Sequence, residues 1–198
     1  MGSGTSEARL SDIAKHLILP EGITSTGWPR VRDRAKLFGL GFDRWQDGLG
    51  RTVLAKRADG LYAAGIDGVQ ISMPRQVGKT YTFGAIVFAL CTLNENLFVL
   101  WTAHRTRTAD ETFAAMQGLA LKPEIAPYID GRPRQANGQQ QIRFTNGSRI
   151  LFGAREQGFG RGFAAVDVII FDEAQILTEK ALEDMIPTAN AAKNPLII

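Results

Sequence analysis

Residues 73–80 read Met73-Pro74-Arg75-Gln76-Val77-Gly78-Lys79-Thr80, and the stretches on either side decide how they fold. Ahead of them, Val69-Gln70-Ile71-Ser72-Met73 alternates apolar and polar side chains, as a short strand does. Behind them, residues 79–93 carry no charge after Lys79 and read as an apolar helix. A loop between a strand and a helix gathers backbone N–H groups at a helix N-terminus, where the helix dipole also favours anions. Gly78 lets the backbone come close to a phosphate chain, Lys79 can reach its outer phosphates, and the Thr80 hydroxyl suits a magnesium ion. The usual phosphate-loop pattern has Gly where this chain has Met73. A bare Gly-Lys followed by Ser or Thr arises by chance in roughly one chain in ten of this length. The strand and helix around it therefore carry the reading.

A second stretch answers the first. Val168-Ile169-Ile170-Phe171 is a buried-strand run, and Asp172-Glu173 emerge at its C-terminal end. In open α/β sheets ligands bind at that end of the strands. Asp172 is the residue to meet a metal ion and Glu173 the one to orient and polarise an attacking water. The plainer alternative makes Asp172 a helix cap and Glu173 a solvated charge. Ahead of this strand, Gly158-Phe159-Gly160-Arg161-Gly162 puts a guanidinium on a glycine-rich loop, where it can meet charge developing on a transferred phosphoryl group. Further upstream, Gln46 beside Trp45 offers an amide that both donates and accepts, as an adenine edge requires. A surface Gln beside a core Trp is the competing reading.

The remaining chain alternates helices and strands. Helices are expected over 11–19, 43–57, 109–119 and 179–186, and strands over 97–101, 168–171 and from 196 onward. Asn146-Gly147 between two β-rich runs, 141–144 and 149–152, is a hairpin signal. The fold class is α/β, with a mostly parallel central sheet flanked by helices. Residues 1–32, interrupted by Pro20, Gly22, Gly27 and Pro29, read as an N-terminal arm, and 33–198 as the phosphate-loop domain.

The chain has 198 residues, 44% hydrophobic and 22% charged, with a formal net charge of +3. That length supports a core without disulfides or structural metal. The single cysteine, Cys91, sits in an apolar run and reads as a core residue. No apolar stretch approaches the ~18 residues that a membrane span needs. The mild positive charge permits an acidic partner such as DNA without demanding one. His16 and His104 are too far apart in sequence to indicate a zinc site.

Taken together, these residues resemble the large terminase subunits of tailed phages. Arg75-Gln76-Val77-Gly78-Lys79-Thr80 is similar to their variant Walker A motif, which often lacks the first Gly. The hairpin at 142–150, then Arg161-Gly162, then Asp172-Glu173-Ala174 after an apolar strand, follow in the same order. Trp45-Gln46 resembles the upstream adenine-contacting motif. The likeness runs from about residue 40 to the end of the sequence.

The resemblance implies a P-loop NTPase of the additional-strand, catalytic-glutamate class that binds ATP and Mg²⁺ and drives double-stranded DNA into procapsids. It assigns Gln46, Arg75, Gln76, Val77, Gly78, Lys79 and Thr80 to the nucleotide, and Thr80 and Asp172 to the metal. Glu173, Lys79, Arg75 and Arg161 are assigned to catalysis. Arg161 is the implied arginine finger toward a neighbouring subunit, with Arg155 as the competing choice. The implied partners are DNA, the portal protein, the small terminase subunit and further copies in a ring, in the host cytoplasm at the procapsid portal. The family's coupling motif and nuclease domain are expected beyond Ile198, so no nuclease activity is expected of these 198 residues. Two other readings remain open: a nucleic-acid-dependent ATPase of helicase type, and a non-hydrolysing ATP-binding assembly module.

Overall fold

In the computed structural model, residues 7–74, 76–134 and 140–198 are described. In chain order, the first half holds α1 (Leu10–Ile13), β1 (Ile23–Thr26), α2 (Trp28–Leu37), α3 (Arg44–Val53), β2 (Ala55–Arg57) and α4 (Lys79–Leu93). The second half holds β3 (Phe98–Ala103), α5 (Thr106–Ala120), β4 (Gln140–Arg143), β5 (Arg149–Ala154), β6 (Val168–Phe171), α6 (Glu179–Ala189) and β7 (Leu196–Ile197).

The unbroken apolar runs become the middle of a five-stranded sheet ordered β4-β5-β3-β6-β7. β3 is buried along its whole length and pairs in parallel with β5 on one side and β6 on the other. β7 continues the parallel set beside β6, and β4 alone runs antiparallel, on β5. Successive β3 residues face opposite layers, as strand geometry requires. Val99 and Trp101 join the core formed with α2, α4 and α5, while Phe98 and Leu100 join Met185 and Ala189 of α6 on the other face. Burial on both faces is why these strands show no polar alternation.

α4 is buried at every position from Thr82 to Cys91. A helix apolar all round belongs inside a domain, and this one lies between α2 and the sheet.

Several expectations need correction. The arm expected over residues 1–32 ends sooner. β1 pairs antiparallel with β2, and Trp28 and Val31 of α2 are buried in the main core. Pro29 does not break this helix because it occupies the first turn, where a missing N–H costs nothing. The helix expected over 11–19 is the single turn α1, with Leu17, Ile18 and Leu19 exposed. Without a buried face, so short a helix does not propagate. The helix expected to reach Arg57 stops at Val53, because residues 55–57 pair with β1 instead.

The strand expected over 69–73 is extended but carries no ladder. The Val69 N–H donates to the Ile197 carbonyl at 2.8 Å. Val69, Ile71 and Met73 pack on the main core while Gln70 and Ser72 face out. The hairpin forms as expected, with Gly147 at φ +85° in the turn between β4 and β5.

Candidate active site

The direction of α4 follows from hydrogen bonds at its far end. Asn146 Nδ2 donates to the carbonyls of Cys91 (2.8 Å) and Asn94 (2.9 Å), and Ser148 Oγ donates to the Asn94 carbonyl at 2.7 Å. Asn146 and Ser148 lie just ahead of β5. The helix therefore ends at the N-terminal edge of the parallel strands and begins at their C-terminal edge. Asp172 and Glu173 leave β6 at that same edge.

At the start of α4, Gly78 is the N-cap, with φ +88° and no side-chain cap. Gln76, two residues earlier, has φ +62°. The first N–H groups of a helix have no partner within it, and no side chain among the described residues covers them. Lys79 and Thr80 are half-buried, and neither side chain has a hydrogen bond or ion pair among the described residues. Val77 is exposed. Arg75 lies outside the described residues. A bare helix N-terminus beside an unpaired lysine suits a polyphosphate. The Thr80 hydroxyl and the Asp172 carboxylate are hard oxygen donors of the kind Mg²⁺ takes.

The Asp172 N–H donates to the Thr102 carbonyl at 2.8 Å, carrying the β3–β6 pairing one residue past the strand. Asp172 Oδ1 accepts the Glu173 N–H at 3.0 Å. Glu173 sits in the left-handed region with φ +55°. For a non-glycine residue that conformation costs on the order of 1 kcal/mol or more. Its carboxylate has no hydrogen bond or ion pair among the described residues. Asp172 does not cap the next helix: Thr178 does, through its hydroxyl and the Ala181 N–H.

The two arginines differ. Arg155 is 9% exposed, with its guanidinium on the backbone carbonyls of Thr102, Asp172 and Glu173. Burial pulls its pKa down, against the raising effect of Asp172 and Glu173. Arg161 lies on the surface, where its Nε donates to Asp184 of α6 at 2.8 Å. A cavity of about 450 Å³ between them is lined by His104, Arg155, Glu156, Arg161, Lys180 and Asp184. Glu156, at its rim, has its pKa lowered by hydrogen bonds from the Thr106 backbone and hydroxyl.

Gln46 is 6% exposed. Its Oε1 accepts the Asp43 N–H and its Nε2 donates to the Thr82 hydroxyl, both at 2.7 Å. Thr82 in turn donates to the Gly78 carbonyl at 2.9 Å. Gln46 thus lies against the loop that carries Gly78, but its amide is engaged with protein groups. Tyr81, which sequence reasoning passed over, is half-exposed beside this loop and donates to the Gly41 carbonyl at 2.9 Å. Burial raises its pKa. Nothing in the local sequence marks Tyr81 or Thr82, because their partners lie about forty residues upstream.

A search of curated protein sequences finds no match. Solved structures do match. The HK97 bacteriophage large terminase aligns with a TM-score of 0.69 at 20% identity, over 87% of this chain and 37% of that one. The large terminase ATPase domain of Thermus phage P74-26 aligns with a TM-score of 0.63 at 16% identity, over 82% of this chain and 66% of that one. An arginine-to-alanine mutant of the same domain gives 0.64 at 15% identity, over the same shares. This chain therefore spans about a third of the HK97 protein and two thirds of the Thermus phage domain, and the likeness shows a shared α/β fold with a mostly parallel sheet flanked by helices. The profile described as "Terminase large subunit, T4likevirus-type, N-terminal" matches residues 70–191, from just ahead of the phosphate loop through α6. With well over half its length inside that match, the chain belongs to the terminase large subunit family, in its N-terminal region.

Proposed function

We propose that this chain is the ATPase motor domain of a viral large terminase, hydrolysing ATP with Mg²⁺ to drive double-stranded DNA into procapsids. The observation that carries the reading is the uncapped start of α4 at Gly78-Lys79, at the same sheet edge as Asp172 and Glu173. The N–H groups around Gly78 and the Lys79 ammonium hold the phosphates, with Gln76 and Val77 completing the loop. Thr80 and Asp172 would hold Mg²⁺, which would supply neutralising charge to the phosphates. Glu173 accepts a proton from the attacking water and aims it at the γ-phosphorus. Arg75 adds charge from within the loop. Arg161 reaches a neighbouring copy's nucleotide in a ring, a role its surface position supports; burial of Arg155 argues against the other choice. The partners are DNA, the portal protein and the small terminase subunit, in the host cytoplasm at the procapsid portal.

Two substitutions test this. Lys79→Ala should lower ATP affinity by about tenfold or more, and Glu173→Gln should keep ATP binding while turnover falls by about a hundredfold. ATP affinity unchanged by Lys79→Ala would sink the phosphate site. Full turnover in Glu173→Gln would assign the water to another residue.

A further inference from the structure

Arg155 is a buried cation next to two carboxylates, yet it forms an ion pair with neither among the described residues. Its Nη1 donates to the Thr102 carbonyl (3.0 Å) and hydroxyl (2.9 Å). Its Nη2 donates to the carbonyls of Asp172 (2.8 Å) and Glu173 (3.3 Å). The Thr102 hydroxyl passes the chain on to the Ile170 carbonyl at 3.0 Å. Arg155 follows directly on β5, Thr102 is in β3, and Asp172 follows β6. One planar fork therefore fastens the C-terminal ends of three adjacent strands.

Glu173 occupies a backbone conformation that side chains other than glycine avoid. Such a conformation persists only where its surroundings over-determine it. Here the Asp172 carboxylate holds the Glu173 N–H and the Arg155 guanidinium holds the Glu173 carbonyl, so the peptide units on both sides of the Glu173 Cα are held. Charge-assisted hydrogen bonds to carbonyls are stronger than neutral ones. Because the fork takes carbonyls, both carboxylates stay available.

We propose that Arg155 is a positioning residue for hydrolysis: it locks the backbone of Asp172-Glu173 so that the Glu173 carboxylate is aimed while remaining unpaired. This rests on the reading of Glu173 as the residue that activates water. A lysine cannot replace the fork, since one ammonium nitrogen cannot reach four acceptors spread over the ends of β3 and β6.

The test compares the 198-residue chain with its Arg155→Lys and Arg155→Ala variants in three measurements: affinity for a non-hydrolysable ATP analogue, ATP turnover, and amide exchange over residues 171–177. In Arg155→Lys, affinity should stay within about twofold, turnover should fall about 30-fold, and exchange should quicken about tenfold. Millimolar guanidinium should restore part of the turnover of Arg155→Ala, because the residue borders an open cavity. Unchanged exchange in Arg155→Lys overturns the proposal by itself, whatever the turnover. Equal losses of affinity, turnover and melting temperature also overturn it, as they would mark a general structural role. Glu173→Gln is run alongside. If it abolishes turnover while Arg155→Lys keeps the parent rate, only the Arg155 proposal fails; if Glu173→Gln keeps turnover, the reading beneath it fails as well.

Discussion

Gln46 Nε2 donates to Thr82 Oγ1 at 2.7 Å, joining α3 to α4 across 36 residues of sequence. Both groups are buried, and Thr82 passes the bond to the Gly78 carbonyl. Gln46→Ala removes this tie and the bond that holds Asp43 at the start of α3. It should cost about 1–3 kcal/mol of stability and weaken ATP binding by loosening Gly78. Thermal unfolding and nucleotide titration check the two halves. An unchanged melting temperature would mean that water replaces these bonds without loss.

Gly50 presents the opposite case, a glycine kept for space. A Cβ there would lie 2.3 Å from the Trp28 ring, which is fully buried. Alanine in a helix normally gains about 1 kcal/mol over glycine. The clash with a rigid ring costs about 1–3 kcal/mol, so Gly50→Ala should come out net destabilising or at best neutral in urea unfolding. Clear stabilisation would show that α2 can slide over α3.

Asp47 sets an acid limit. Burial raises its pKa, but hydrogen bonds from Trp28 Nε1 and Arg51, with the charges of Arg51 and Arg32, outweigh that and leave it below 3.8. A depressed folded-state pKa gives stability that is present above the unfolded value and lost as pH falls through the folded one. The parent should therefore exceed Asp47→Asn by about 1 kcal/mol at neutral pH. The gap should close as pH drops below 3.8. A gap that is the same at pH 7 and pH 3 would exclude the linkage.

Cys91 is fully buried in α4, and burial pushes its thiol pKa well above the ordinary value. The thiolate is the reactive form, so maleimide labelling of the native chain at pH 7 should be at least about a hundredfold slower than in urea. Fast native labelling would show that α4 opens readily.

Much of this architecture is legible in the sequence where the determinant is local. The charge-free run after Lys79 is a buried helix, the apolar runs at 98–101 and 168–171 are central strands, and Asn146-Gly147 turns a hairpin. What escapes is set by distant partners or by context. Gly27 and Pro29 look like breakers, yet at the N-cap and first turn of α2 they are permitted. In the sequence Arg155 is only the competing choice for the arginine finger, and the convergence of three strand ends is what reveals four acceptors waiting for it.

The bonds from Asn146 and Ser148 to the end of α4 carry a mechanical consequence. Fifteen helical residues make a rod about 22 Å long, pinned at the hairpin end and bare at the other. Packed between α2 and the sheet, the rod links the phosphate loop at Lys79 to the turn between β4 and β5, on the opposite rim of the sheet. That turn is the place to attach a reporter for what happens at the phosphate loop.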